Sequence, residues 1–167
     1  MPYNFAFSIS GGTDSGGTSQ YSAWFSRNLV SLNEWHLITG TYDGEWIKLY
    51  LDGNLMHQNP AVISIVNGDG NIKLGNNLKA KIAWANILDY ALTEEEIQSQ
   101  LNITPPALDN GISANWYFNA GTGDTLYDHS GNGNHGTIYG ATWVENESSI
   151  NPWSESVIPT PSAGTFQ

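Results

Sequence analysis

The residues best suited to chemistry in this chain lie in one polar loop, Asp128–Gly136, which reads D-H-S-G-N-G-N-H-G. Asp128, Asn132 and Asn134 carry oxygens that can hold a cation or a sugar hydroxyl. Three glycines allow backbone angles that other residues resist. With His135 they form a candidate ligand-binding set. Asp124, four residues before Asp128, offers a second carboxylate for a structural Ca²⁺. The same residue types also build tight turns, because Asp and Asn side chains bond to nearby backbone amides. Both readings stand open at this point. His129 and His135 are six apart, but zinc needs further ligands and the chain has no Cys. On a strand, Asp124 and Asp128 would sit about 13 Å apart at ~3.3 Å per residue. Glycosidase carboxylate pairs work at about 5–9.5 Å, so catalysis is not expected from this pair.

A second candidate surface comes from Trp35–Gln58, which holds the turns Asp43-Gly44 and Asp52-Gly53 between three apolar runs. Asp-Gly between alternating runs is a strong hairpin signal, since a primed two-residue turn needs positive φ. Antiparallel strands are expected over Trp35–Tyr42, Glu45–Leu51 and Asn54–Gln58. In the middle strand Ile47, Leu49 and Leu51 share one face and predict core. Trp46, Lys48 and Tyr50 share the other. Trp46, Tyr50 and, further on, Trp84 are candidates for stacking against a sugar ring. Aromatics in a sandwich also serve core packing.

The run W-H-x-x-x-G-T-Y-D-G-x-x-I-K-L-Y-L-D-G resembles the central signature of the concanavalin A-like lectin/glucanase superfamily, in its laminin-G-like branch. N-I-K-L-G at Asn71–Gly75 resembles the next strand of that family. Lys81–Leu101, ending A-L-T-E-E-E-I before its last residues, resembles its closing strand and short helix. The resemblance implies an all-β fold: an antiparallel two-sheet β-sandwich of the jelly-roll type, with one short helix near 94–101. It also implies a structural Ca²⁺ bound by an acidic residue near position 83. Ala83 stands there instead, which weakens the calcium reading. The Glu-x-Asp-x-x-Glu run of the related glucanases is absent from the sequence. The expectation is therefore a protein that is not an enzyme.

Composition narrows the partners. The net charge is −11 with only five Lys and Arg. Nucleic acid is an unexpected partner, because phosphate binding needs clustered cations. Neutral glycans and divalent cations stay open. The 167 residues suffice for one sandwich with a sizeable core. Met1-Pro2-Tyr3 opens with no basic or long apolar segment, so no classical signal peptide is visible. No run approaches the roughly 18 apolar residues of a membrane span, and no membrane insertion is expected.

In chain order, Tyr3–Ser10 alternates and predicts a strand. Gly11–Gln20 predicts a loop, and Tyr21–Phe25 a strand. Pro60–Val66 and Ile72–Leu74 read as further strands, with a turn at Asn67–Asn71 between them. Lys81–Leu88 is another expected strand. Thr93-x-x-Glu96 makes a capping box for a helix over Glu94–Leu101, whose acidic first turn suits the helix dipole. The domain reading is residues 1–101 as the closing half of a laminin-G-like sandwich, then a linker at 102–112. Residues 113–145 resemble the opening half, and 146–167 read as an irregular tail. This order reverses the family's, so the chain reads as permuted, as parts of two repeats, or as strand-sharing. Residues 113–143 are expected to fold back onto residues 1–101.

The function expected from these observations is non-catalytic binding, of carbohydrate or in adhesion, at a cell or particle surface. The main rival is a structural component of an extracellular or virion assembly, such as a fibre, decoration or adhesin subunit without sugar affinity. A glycan-cleaving enzyme is the third class. Expected partners are glycans or surface polysaccharide, and a homo-oligomer or larger assembly. The expected location is extracellular or on a virion or other particle surface.

Overall fold

The structure is a computed structural model that describes residues 4–12, 18–63, 65, 72–75, 78–102 and 110–144. Residues 103–109 of the expected linker 102–112, the turn at Asn67–Asn71, Glu145 and the tail 146–167 lie outside the described residues.

The architecture is an antiparallel β-sandwich with one short helix. β1 (Asn4–Gly12) and β2 (Thr18–Ser26) form a hairpin ladder, with Phe5 opposite Phe25 and Phe7 opposite Ala23. β3 (Ile38–Tyr42), β4 (Trp46–Leu51) and β5 (Asn54–Pro60) form a meander with β4 in the centre. The alternation in β4 behaves as expected on one face: Ile47, Leu49 and Leu51 are buried with Ala23, Phe25 and Ala61 in the main core. Burying a side chain of that size contributes about 1.5–3 kcal/mol. Gly40 on β3 permits the close approach of the two layers. A Cβ there would lie 2.4 Å from Phe7 Cγ, nearer than packed atoms can come.

β6 (Trp84–Leu88) follows, then α1 (Glu94–Ser99), which continues as a 3₁₀ turn over Gln100–Asn102. The Thr93–Glu96 capping box is present in both directions. β7 (Ile112–Tyr117) pairs antiparallel with β6, Trp84 opposite Tyr117 and Asn86 opposite Asn115. β8 (Thr125–Leu126) and β9 (Gly136–Thr137) close the described chain as a small ladder. Two smaller cores complete the packing. Tyr50, Leu92 and Ile97 pack with Leu37 and Leu88. Ala114, Trp116 and Leu126 pack with Ala85, Ile87, Phe118 and Ile138.

Several boundaries differ from the sequence reading, each for a tertiary reason. The expected loop at Gly11–Gln20 is strand at both ends, because Gly11 and Gly12 pair with Ser19 and Thr18. Pairing outweighs the low strand preference of glycine. Ala61–Ile63 is not strand. The segment instead caps the meander: Ala61 N–H donates to Glu45 O, and Tyr42 Oη bonds to Ile63. Ile72–Leu74 is not strand either, and among the described residues it has no ladder partner. Trp35–Leu37 precedes β3 without joining it. Leu37 N–H donates to the Asp52 carboxylate, and Leu37 O accepts from Asp52 N–H. β6 begins at Trp84 and not at Lys81.

The two Asp-Gly turns also differ from each other. Asp52 and Gly53 both have positive φ, 49° and 73°, as a primed turn requires. At Asp43-Gly44 only Gly44 is positive. There Tyr42 pairs with Ile47 across a longer loop, built on the Asp43 carboxylate.

Candidate functional site

The Trp46 surface starts from that loop. Asp43 Oδ1 accepts Glu45 N–H at 3.0 Å and Trp46 N–H at 2.7 Å, and Oδ2 pairs with Lys48 Nζ at 2.9 Å. The Lys48 hydrogen bond, joined by the two backbone donors and outweighing burial, holds the Asp43 carboxyl down at about 2. The same bond raises the Lys48 ammonium. Trp46, 37% exposed, is thus fixed at the start of a rigid strand. Lys48 is half-buried and committed to Asp43.

Tyr50 is placed differently from the sequence expectation. It is only 4% exposed, packed with Leu92 and Ile97 of the second core. Burial, the largest cause, pushes its hydroxyl up. The alternation of β4 does put Tyr50 on the face of Trp46, but that end of the face is covered by the segment carrying α1. Period alone does not reveal such a cover, so Tyr50 is a core residue and not a stacking surface.

The Asp128 loop is a closed hydrogen-bond hub. Asp128 is 8% exposed. Its Oδ1 accepts Asn115 N–H at 2.8 Å and Ser130 N–H at 2.9 Å. Its Oδ2 accepts Ser130 Oγ at 2.8 Å and Asn134 N–H at 2.9 Å. Burial pushes this carboxyl up, yet the hydrogen bonds from Ser130, Asn115 and Asn134 outweigh it and hold it below the ordinary value. His135 Nδ1 accepts Asp128 N–H at 3.0 Å, so that nitrogen is unprotonated in this geometry. Asn132 Nδ2 donates to the carbonyls of Ile112 and Ser113, and Asn134 Nδ2 donates to Ser113. Trp116 Nε1 closes the hub on Asn134 O. Gly131 and Gly133, with φ of 89° and 74°, make the chain turn tightly enough for this.

The four candidate residues Asp128, Asn132, Asn134 and His135 therefore lie in one network: the first three hold the loop to β7, and His135 braces Asp128 from within the loop. A cation at Asp128 would have to displace these donors. Asp124 is exposed at the start of β8, where its carbonyl accepts Ile138 N–H. Among the described residues no group of three or more His, Asp or Glu comes together in a metal-binding arrangement. His129 and His135 each pack on a tyrosine of their own. His129 lies 5.0 Å from Tyr117 and His135 lies 5.5 Å from Tyr127, between ring centroids. Trp84 is half-buried on β6.

One cluster escaped the sequence reading. His36 Nδ1 lies 2.7 Å from Asp52 Oδ2, and His36 Nε2 lies 3.0 Å from Ser31 Oγ. The spacing resembles a nucleophile, base and orienting acid. However, the single Ser31 hydroxyl proton is directed to Glu34, and the other Asp52 oxygen holds Leu37 N–H. The cluster clamps residues 31–37 onto the Asp52-Gly53 turn. The W-H and D-G pairs of the sequence are its only visible signal.

An all-β sandwich whose loops are tied by carboxylate hydrogen bonds, with Trp24 and Trp46 exposed among the described residues, suits a binding type of domain. The chain belongs to the concanavalin A-like lectin/glucanases superfamily: the laminin-G-type family model matches residues 3–98, more than half of the chain. No curated protein and no solved structure matches it. Membership supports a binding or adhesion-type module, and laminin-G-like domains are usually extracellular. No helix among the described residues is long and apolar enough to cross a membrane.

Proposed function

We propose that this chain is a non-catalytic carbohydrate-binding or adhesion module at a cell or particle surface. The observation that carries this reading is Trp46, an exposed aromatic fixed by the Asp43 loop at the head of a central strand. A fixed aromatic binds a sugar ring with little ordering cost. The family adds support, although one sandwich hosts many functions. A glycan array tests it. The expected result is reproducible binding that is lost in Trp46→Ala with folding intact. A blank array contradicts it, and product release from a polysaccharide panel would point to a glycan-cleaving enzyme instead.

A second reading, a structural subunit without sugar affinity, draws on the apolar surface. Leu32 is 86% exposed and Val62 77% exposed. Side chains of this kind are suited to burial against another chain, and among the described residues β1 is paired by β2 alone. On this reading the protein is a homo-oligomer or part of a larger assembly. Sedimentation decides: a dilution-resistant monomer of 18.2 kDa contradicts obligatory assembly.

A further inference from the structure

We propose that the face of the β6–β7 ladder opposite its core is a platform for a neutral glycan, formed by Trp84, Asn86, Asn115 and Tyr117 with His129 at its rim. The proposal rests on the carbohydrate-binding reading and names a surface and a ligand class for it.

The ladder fixes which residues share the face. Ala85, Ile87, Ala114 and Trp116 point into the third core. By alternation Trp84 and Asn86 on β6, and Asn115 and Tyr117 on β7, point the other way. Trp84 stands opposite Tyr117, and Asn86 opposite Asn115. All four are half-buried, so the face is partly shielded but open. The Leu88 end of β6 is covered by the second core, which leaves the Trp84–Tyr117 end accessible. The exposed His129 packs its ring against Tyr117 and extends that end.

The polar atoms of this face are unequally satisfied. Asn115 Nδ2 donates to Tyr117 Oη at 2.8 Å, which directs the tyrosine proton outward. Asn86 Nδ2 is buried and has no hydrogen-bond partner. A buried, unpaired donor is costly and uncommon. The Asn86 amide, turned outward between the two aromatics, would find its acceptor in a sugar hydroxyl or ring oxygen. The Tyr117 hydroxyl proton would meet a second sugar oxygen, and the aromatic rings would stack against sugar C–H groups. No Lys or Arg belongs to this face, and the chain carries a net charge of −11. The chemistry therefore suits neutral sugars and repels sulfated or sialylated ones.

The experiment compares the full chain with Asn86→Leu, Trp84→Ala and Trp46→Ala on an array holding neutral, sulfated and sialylated glycans. Circular dichroism and thermal unfolding establish that each variant folds. The proposal expects neutral glycans to bind, and Asn86→Leu to weaken them by about tenfold or more while folding at least as stably as the parent. Trp84→Ala should weaken binding at least as much. If Trp84→Ala fails to fold, Asn86→Leu decides. Binding lost in Trp46→Ala but unchanged in Asn86→Leu overturns the platform and leaves the module's function standing. Preference for sulfated or sialylated glycans also overturns it. A blank array overturns the carbohydrate reading as a whole, and the platform with it.

Discussion

The described residues of 4–61 and those of 84–143 reach order by different means. The first region is held by apolar burial: Phe25 and the β4 side chains Ile47, Leu49 and Leu51 close on each other, with Phe5 and Phe7 packed against them, across the β1–β2 hairpin and the β3–β5 meander. Its polar groups, the Asp43 loop and the Ser31–His36–Asp52 clamp, sit at the margins. In the second region the β6–β9 part is centred on the buried Ala114, Trp116 and Leu126, while Leu92 and Ile97 pack on Tyr50 of the first region. Its loop is held by one carboxylate, Asp128, which gathers three backbone amides and a hydroxyl. Apolar burial is spread over many contacts and degrades gradually. A polar hub concentrates the same task in one residue, because each stranded buried donor costs about 1–3 kcal/mol.

The sharpest way to break the first region is Ile47→Ala. Ile47 is fully buried in the main core. The expected loss is about 2–5 kcal/mol, with a cavity between the layers, measured by urea unfolding. Asp128→Ala should do comparable harm in the second region, about 2–3 kcal/mol, by leaving Asn115, Ser130 and Asn134 amides without an acceptor. Gly40→Ala comes next. Its methyl would meet the Phe7 ring, and forcing it in should cost about 1–3 kcal/mol. The change should fall on the β1–β2 hairpin first.

The smallest effect sharpens the comparison through pH. Asp43 is held at about 2 and Asp128 is also lowered. A depressed carboxyl contributes stability that is complete above its unfolded value and is lost as pH falls toward the folded one. Both turns should therefore weaken in acid, Asp43 between about pH 4 and 2. Asp43 is exposed enough that its share should stay under about 1 kcal/mol. An acid titration of Asp43→Asn should nearly overlay the parent, while Asp128→Asn should flatten the curve.

This contrast also explains what the sequence could disclose. The alternation Ile47, Leu49, Leu51 was legible because a buried face imposes a period of two on the chain. The Thr93–Glu96 box was legible because both partners lie within one turn. The face of Trp46, Lys48 and Tyr50 was legible only as a face: Tyr50 is covered by a segment more than forty residues away. The loop at Asp128–Gly136 stood out by composition. Its use was not readable, since its partners Ile112, Ser113, Asn115 and Trp116 become neighbours only when β7 forms. The strand readings at Ala61–Ile63 and Ile72–Leu74 failed for the same reason. An apolar run becomes a strand only beside a partner.

Native-state hydrogen exchange in Asp128→Asn tests most directly the claim that one carboxylate orders the second region. An Asn side chain keeps one acceptor oxygen and the same shape. The account predicts that the amides of Asn115, Ser130 and Asn134 exchange at least about tenfold faster, as local opening without global unfolding. The amides of Ile47 and Leu49 in β4 should be unchanged. Equal acceleration of β4 and the 128–134 loop, or no acceleration at Asn115, Ser130 and Asn134, would contradict it.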